Sequence, residues 1–370
     1  MNLRTSFIAA TVLIATTAGA ATIEKRFPAS PGETLEVNLR GGSIEVSGWD
    51  RGEVVVEVSV SGPETEGVEI RRSGNRVIVS EEVEGGRHRR IDVSVRVPRR
   101  FDVELDTMGG GIAVHDVEGA IEGSTMGGNL ELERLGGTLS MRTHGGNVVL
   151  RDSDVDGKVV TMGGRVLIEN VVGDVEGTSL GGNVEYRNVT RRDGSSTGQA
   201  VTITTMGGEV RVASAPAGAE VSTMGGNVEV ESARRFVKAR TMGGHIGIGA
   251  VDGWVEATTM GGDIEVAMVG DPSRGDRHVT IESKGGDVEL TLPAGLDAAF
   301  DVQIIFTKNS SRDYAIRSDF PLELSTTPRW EYGHGDARRI IRGRGTSGSG
   351  KNKVVVRTVN GDVTIRRGGK

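Results

Sequence analysis

Short segments in which apolar and polar residues alternate recur along the middle of the chain, each directly after a pair of glycines. Residues 129–132, 183–186, 227–230 and 263–266 read Asn-Leu-Glu-Leu, Asn-Val-Glu-Tyr, Asn-Val-Glu-Val and Asp-Ile-Glu-Val. A period of two directs the aliphatic side chains to one face of a β-strand and the polar ones to the other. No stretch sustains the 3.6-residue apolar period of a helix. The pattern therefore predicts an all-β protein.

The glycine pairs mark an internal repeat. The tetrapeptide Thr-Met-Gly-Gly occurs seven times, and diverged copies at residues 143–146, 179–182 and 283–286 fill the gaps. Seven of the nine steps between successive copies are 18 residues long, and the other two are 26 and 24. The first glycines of the ten pairs are Gly109, Gly127, Gly145, Gly163, Gly181, Gly207, Gly225, Gly243, Gly261 and Gly285.

A single repeat cannot bury its apolar face alone, but stacked repeats can, because each strand pairs with the equivalent strand of the next coil. We therefore expect a single-stranded parallel β-helix, or β-solenoid, with about 18 residues per coil. Glycine permits tight corners where a Cβ would clash. The first glycine of each pair is thus the predicted structural turn residue, and valine at Gly163 or Gly225 is expected to prevent folding.

The methionines of the repeat share the parity of the aliphatic residues that follow them. They are therefore expected to fill the core, and the alternative is a stripe of thioethers that binds a soft metal. This row consists of Met108, Met126, Met162, Met206, Met224, Met242 and Met260.

Two polar rows accompany the methionines. The threonines, from Thr107 to Thr259, are expected to face outward as stacked hydroxyl groups, or alternatively as a surface that orders water. The residue after each glycine pair, such as Asn129 or Asp263, is expected to cap backbone groups of the turn. Calcium binding is the alternative for that row, although the Gly-Gly-x-Gly-x-Asp repeat of calcium rolls is missing.

Composition narrows the chemistry. The 370 residues include 57 glycines, 9 prolines and no cysteine, so disulfides, thiolate metal sites and a cysteine nucleophile are excluded. The formal net charge of −7 does not suggest a protein that binds nucleic acid. The six histidines show no zinc-binding spacing, and we predict neither a cofactor nor a metal. They are His88, His115, His144, His245, His278 and His334.

The first 20 residues have the features of a secretory signal peptide. Arg4 supplies the positive charge, residues 7–16 are apolar but too short to span a bilayer, and Ala18-Gly19-Ala20 forms a cleavage site. No later segment is long and apolar enough to be a transmembrane helix. We therefore expect an exported protein without a transmembrane segment, located in the periplasm, on the cell surface or outside the cell.

Both ends of the chain depart from the regular repeat. Residues 42–49 and 360–365 match the glycine–strand unit, whereas residues 291–357 break its period. We predict a signal peptide (1–20), a strand-rich start or cap of the solenoid (21–106), the regular repeats (107–290), and an irregular insertion with a closing coil and C-terminal cap (291–370).

The order of these elements resembles the bacterial DUF4097 family of adhesin-like β-strand repeat proteins. The matching segments are residues 42–49, the glycine–strand units, Leu292-Pro293-Ala294, residues 318–322 and residues 360–365. The resemblance implies a right-handed parallel β-helix and an exported or envelope-associated protein. It brings no catalytic residues to this chain.

The functional expectation is a non-enzymatic, adhesin-like binding module that contacts a glycan, a cell surface or another envelope component. One alternative is a periplasmic scaffold associated with envelope stress, and another is a polysaccharide-active enzyme with loop carboxylates. The loops that could carry such carboxylates include Asp193 with Arg191 and Arg192, and Asp271 and Asp276 with Arg274 and Arg277. A monomer is expected.

Specificity is expected in residues 291–357, because aromatic side chains cluster there. Aromatic rings serve as stacking platforms in binding sites. The candidate ligand contacts are Tyr314, Phe320, Trp330 and Tyr332.

Overall fold

The computed structural model describes residues 11–17, 20–61, 67–81, 90–190, 200–310, 312–332 and 336–368. Arg4, most of the predicted cleavage site, His88, His334 and the loop residues 191–193 lie outside them. Within the described ranges the chain forms strands, turns and bends, and no helix. The predicted all-β class is confirmed. The chain divides into two units, residues 1–178 and 179–370, and the region boundaries proposed from the sequence stay predictions.

The strands of the first unit, the last of which reaches Ser179, are β1 (Thr11–Thr17), β2 (Ala20–Pro28), β3 (Thr34–Leu39), β4 (Ile44–Trp49), β5 (Glu53–Ser61), β6 (Val68–Ser73), β7 (Arg76–Glu81), β8 (Ile91–Pro98), β9 (Asp102–Thr107), β10 (Ile112–His115), β11 (Glu118–Thr125), β12 (Leu130–Glu133), β13 (Gly136–Thr143), β14 (Val148–Thr161), β15 (Val166–Val172) and β16 (Val175–Ser179).

The strands of the second unit are β17 (Val184–Thr190), β18 (Val201–Thr204), β19 (Val210–Val212), β20 (Ala219–Ser222), β21 (Val228–Val230), β22 (Ala233–Arg240), β23 (Ile246–Thr259), β24 (Ile264–Met268), β25 (Val279–Ser283), β26 (Val288–Pro293), β27 (Ala298–Thr307), β28 (Ile316–Ser318), β29 (Glu323–Thr326), β30 (Arg338–Ser347), β31 (Asn352–Val359) and β32 (Val363–Gly368).

Within each unit the repeats stack as parallel strands in register. In the first unit, partners 18 residues apart run in the series Ile112, Leu130, Val148 and Val166. In the second unit, the corresponding series is Val210, Val228, Ile246 and Ile264. All eight side chains are buried. The predicted β-solenoid is therefore confirmed, and the right-handed winding stays a prediction.

The threonine row lies inside the coils, contrary to the expected outward position. Thr161 is fully buried, its hydroxyl donates to the carbonyl of Gly146 at 2.7 Å, and it accepts the N–H of Gly164 at 3.1 Å. Thr143 makes the same pair of bonds with Gly128 and Gly146. Each threonine thereby joins one glycine corner to that of the previous coil.

The methionine row faces solvent, so the expectation that it fills the core is wrong. All seven side chains are exposed, from 46% at Met162 to 56% at Met108. The reason is that the strand ends at the threonine or one residue before it, and the chain bends through Met-Gly-Gly before the next strand begins. Side-chain alternation does not continue through a bend, so a shared parity across it carries no information about burial.

The severe steric requirement at the corner falls on the second glycine, not on the first as expected. A Cβ on Gly164 would lie 2.0 Å from the carbonyl oxygen of Gly146, whereas a Cβ on Gly163 would lie 3.6 Å from its nearest neighbour. The same contrast holds at Gly226 (2.1 Å) and Gly225 (3.4 Å). The second glycine sits directly against the backbone of the previous coil.

The polar row after the glycines caps the next coil, as expected. The side-chain oxygen of Asn129 accepts the N–H of Asn147 at 2.9 Å, and Asn227 does the same for His245. These oxygens are thus engaged by backbone donors. Among the residues that the structure describes, no cluster of histidine and carboxylate side chains suited to a metal ion is found.

Both ends join the stacks in the same register. Ile44 of β4 pairs with Ile112 of β10 in the first unit. In the second unit, Val363 of β32 pairs with Val288 of β26, so the chain returns to the stack after the long insertion. That insertion forms β27, which pairs antiparallel with β30 and parallel with β31.

Candidate functional site

The four aromatic residues predicted to contact a ligand have different environments. Phe320 is only 4% exposed, and its ring centroid lies 5.0 Å from that of buried Phe300. Its ring belongs to the core of the insertion and is not open to a ligand. Tyr332 is 77% exposed.

Tyr314 and Trp330 gather around Phe306, which the sequence argument did not single out. The Phe306 ring lies 6.1 Å from that of Tyr314 and 5.5 Å from that of Trp330, edge to face. The Arg339 guanidinium lies 5.7 Å from the Trp330 ring and 6.0 Å from the Phe306 ring. All three rings are half-buried, and they pack chiefly on one another and on arginine.

A second aromatic pair lies in a groove of about 610 Å³ on the second unit. Phe236 of β22 and Trp254 of β23 occupy equivalent positions of successive coils. Their rings are stacked, with centroids 4.8 Å apart and planes inclined by 10°. The strand register produces this geometry, because residues 18 apart lie directly over one another. Both rings are half-buried and line the groove.

One wall of the groove is the loop between β24 and β25, and Arg277 holds it in place. The Arg277 side chain is 2% exposed, and its guanidinium donates to the carbonyl of Val269 at 2.7 Å and that of Arg274 at 3.1 Å. It also forms an ion pair with Asp252 at 2.5 Å. The buried arginine thus ties both ends of the loop to the coil beneath it.

The groove carries charges of both signs. Exposed Arg234, Arg235 and Arg274 line it with the carboxylates of Asp252, Asp271 and Asp276. Hydrogen bonds from the hydroxyl and the backbone N–H of Ser273 hold the pKa of Asp271 below its usual value, with help from the charge of Arg274. Asp271 is therefore ionised at neutral pH.

We expect Arg277→Lys to loosen the loop without unfolding the stack. Lysine cannot reproduce the forked geometry that reaches Val269, Arg274 and Asp252 together. Loss of roughly 1.4 kcal/mol of local stability corresponds to a tenfold faster hydrogen exchange. Mass spectrometry of amide exchange in residues 269–277 would show it, and unchanged exchange there would contradict the assigned role.

The sequence predicts a loop that carries Asp271, Arg274, Asp276 and Arg277, but neither Phe236 nor Trp254 is among the predicted site residues. The signal that could have found the aromatic pair is the 18-residue spacing of Phe236 and Trp254. The position of Arg277 could not be inferred, because it depends on how the six-residue insertion before Ser283 folds back.

No helix among the described residues has the length and apolar character needed to cross a membrane. No curated protein matches the sequence significantly.

The solved structures that resemble this chain are distant from it in sequence. A "putative adhesin" from Parabacteroides merdae is 13% identical with a TM-score of 0.35, and the alignment covers 71% of this chain and 97% of that protein. A "putative cell adhesion protein" from Clostridium sporogenes is 8% identical with a TM-score of 0.18, covering 93% and 99%. A "putative lipid binding protein" from Parabacteroides distasonis is 10% identical with a TM-score of 0.23, covering 94% and 97%. These similarities do not assign an activity.

The family assignment rests on the sequence itself. The model of the family described as "Toastrack DUF4097" matches residues 32–313, well over half of the chain. The match extends from the first glycine–strand segment through the regular repeats into the insertion. The chain therefore belongs to the DUF4097 family.

Proposed function

We propose that this protein is an exported, non-catalytic binding module that holds an acidic envelope glycan in the groove of the second unit. The observation that carries the proposal is the stacked pair of Phe236 and Trp254 in a groove that exposed arginine side chains also line. An adhesin-like role of this kind agrees with the sequence expectation, although the binding site differs from the one predicted.

The chemistry of the groove suits an acidic sugar polymer. Aromatic faces offer an apolar platform for the C–H face of a sugar ring. Arg234 and Arg274 can pair with carboxylate or phosphate groups of the ligand, since guanidinium matches their geometry. Asp276 and Asp252 offer acceptors for sugar hydroxyl groups.

A glycosidase is not supported by these carboxylates. Such an enzyme needs one carboxylic acid with a raised pKa as its proton donor. Asp271 has a lowered pKa because of Ser273, and Asp252 is paired with Arg277. Asp271 is thus suited to bind rather than to donate a proton, and Asp252 is engaged by the buried arginine.

We expect Trp254→Ala and Phe236→Ala each to weaken binding of an acidic polysaccharide, such as a uronic-acid polymer, by about fivefold or more in titration calorimetry. The reason is that Trp254→Ala removes a stacking ring, worth about 1–3 kcal/mol by analogy with ring stacking on bases. Phe236→Ala removes the ring on which Trp254 is stacked. Trp330→Ala is the matched control, because that ring packs with Phe306 and Arg339 instead. Loss of binding in the Trp330 variant alone would instead place the glycan-binding site in the insertion, residues 291–357.

The alternative, a periplasmic scaffold, differs from the proposed binding module in its location and in its lack of a polysaccharide ligand. Protease treatment of intact cells should cleave a surface-exposed binding module. A protein that resists cleavage until the envelope is broken, and that binds no polysaccharide, would instead be a periplasmic scaffold.

A further inference from the structure

Four exposed methionines form a continuous row at the glycine corners of the second unit. We call Met206, Met224, Met242 and Met260 the thioether row; their side chains are 48–53% exposed. The N–H of each later member donates to the carbonyl of the one before it at 3.2 Å. Equivalent atoms of successive members therefore lie about 4.8 Å apart, the spacing of paired strands.

The fold does not require methionine at this corner. The equivalent positions elsewhere hold His144, Leu180 and Lys284, which are an imidazole, an aliphatic chain and an ammonium. A flexible apolar side chain facing water gains little from burial and loses rotamer freedom if it is ordered. Folding alone therefore leaves the choice of methionine at four successive corners unexplained.

The surface beside the row is kept open by glycine. Gly225 and Gly243 follow two of its members, and a Cβ on either would have its nearest neighbour at 3.4 Å or 3.6 Å, an ordinary contact. Neither residue has a positive φ. The backbone thus does not demand glycine at these positions, whereas a side chain there would stand next to the methionine and restrict access to its sulfur.

We propose that the thioether row binds a soft monovalent cation, Cu(I), between neighbouring methionines. Thioether sulfur is a soft ligand that suits Cu(I), whereas calcium and magnesium prefer oxygen ligands. If the bonds have about the length of a zinc–thiolate bond, roughly 2.3 Å, two sulfurs that share an ion can be up to about 4.6 Å apart. That separation is close to the strand spacing, and the three side-chain torsions of methionine can close the remaining gap.

The same corner position in the first unit supports the assignment with a different ligand. Met126, His144 and Met162 occupy successive coils there, and all three are exposed. Backbone bonds fix the order, since Gly145 donates to Met126 at 3.0 Å and Gly163 to His144 at 2.9 Å. Imidazole is also a copper ligand, so a histidine in this row retains the chemistry that leucine or lysine would lose.

The test is anaerobic titration of the purified protein with Cu(I) buffered by bicinchoninate, with copper per chain measured by elemental analysis. The key variant replaces all four members of the thioether row by leucine, which keeps an apolar surface but removes the sulfurs. We expect it to lose at least one bound Cu(I) per chain, or to bind it at least tenfold more weakly, with an unchanged circular dichroism spectrum.

Two controls make the result specific. Met141→Leu and Met268→Leu remove buried sulfurs and should leave Cu(I) binding unchanged. If the fourfold variant does not fold, Met224→Lys replaces it. Lysine already stands at the equivalent corner position, as Lys284, and its positive charge should reduce Cu(I) binding by repulsion of the cation. Equal Cu(I) uptake by the wild type and the leucine variant would overturn the proposal, and so would the absence of uptake by either protein. Both results would favour a thioether row that serves as an apolar contact surface.

Discussion

Replacement of Gly164 by alanine is expected to destabilise the first unit by at least about 4 kcal/mol, or to prevent its folding. The new Cβ would lie 2.0 Å from the carbonyl oxygen of Gly146 and 2.4 Å from its carbon. Both atoms are backbone, so no side-chain rotation relieves the overlap. The two coils would have to separate, which would also break the bonds between Thr161, Gly146 and Gly164. Urea denaturation followed by circular dichroism measures the loss.

The adjacent glycine is the matched control. A Cβ on Gly163 would have its nearest neighbour, the carbonyl oxygen of His144, at 3.6 Å. Gly163→Ala is therefore expected to change the free energy of unfolding by no more than about 1 kcal/mol, the usual range of a glycine-to-alanine change. Equal destabilisation by the two variants would show that the corner makes the same demand on both glycines.

The contrast between these neighbours explains what the sequence could reveal about the corner. The repeat places the pair, because Gly163 and Gly164 recur at a fixed interval. The ten regular copies do not rank the two, because both are glycine in each of them; in the closing unit, however, Asn360 takes the first position and Gly361 keeps the second. The physical difference lies in the distance to the backbone of the previous coil. Gly164 lies against Gly146 and must lack a Cβ, whereas Gly163 has room for one.

The threonine and methionine rows show a second limit of pattern reasoning. The alternation rule holds within β11, where Ile121 and Thr125 both point inward. It fails between Met126 and Leu130, because a bend separates them. Side-chain alternation thus predicts burial reliably within a strand. It does not continue across a corner, and the next strand begins its own alternation. The polar residues after the glycines were interpreted correctly, since capping depends on a local turn and on register alone.

The candidate site was predictable only in part. Stacking of Phe236 on Trp254 follows from the 18-residue register, which the sequence supplies. The loop wall does not, because it depends on buried Arg277 and its contacts with Val269 and Asp252. The 18-residue register relates positions in the sequence to positions in space. An insertion interrupts the repeat, so this relation does not extend to the inserted residues.

Simultaneous replacement of Thr125, Thr143 and Thr161 by valine is expected to destabilise the first unit by about 3–6 kcal/mol. Valine has the same shape, but each change leaves a glycine carbonyl and a glycine N–H without their partner, at about 1–3 kcal/mol per site. The three sites share partners, because Gly128 and Gly146 each bond two of the threonines. Strict additivity is therefore not expected, and single variants measured alongside would give the coupling.

Serine at the same three positions is the control, because it keeps the hydroxyl and loses only a methyl group. The chain already contains this exchange: the hydroxyl of Ser283 donates to the carbonyl of Gly262 at 2.9 Å and accepts from the N–H of Gly286 at 3.0 Å. The serine variant should keep most of the stability that the valine variant loses, as judged from the urea midpoints of the two. If valine were tolerated and serine were not, the buried methyl groups rather than the corner hydrogen bonds would hold neighbouring coils together.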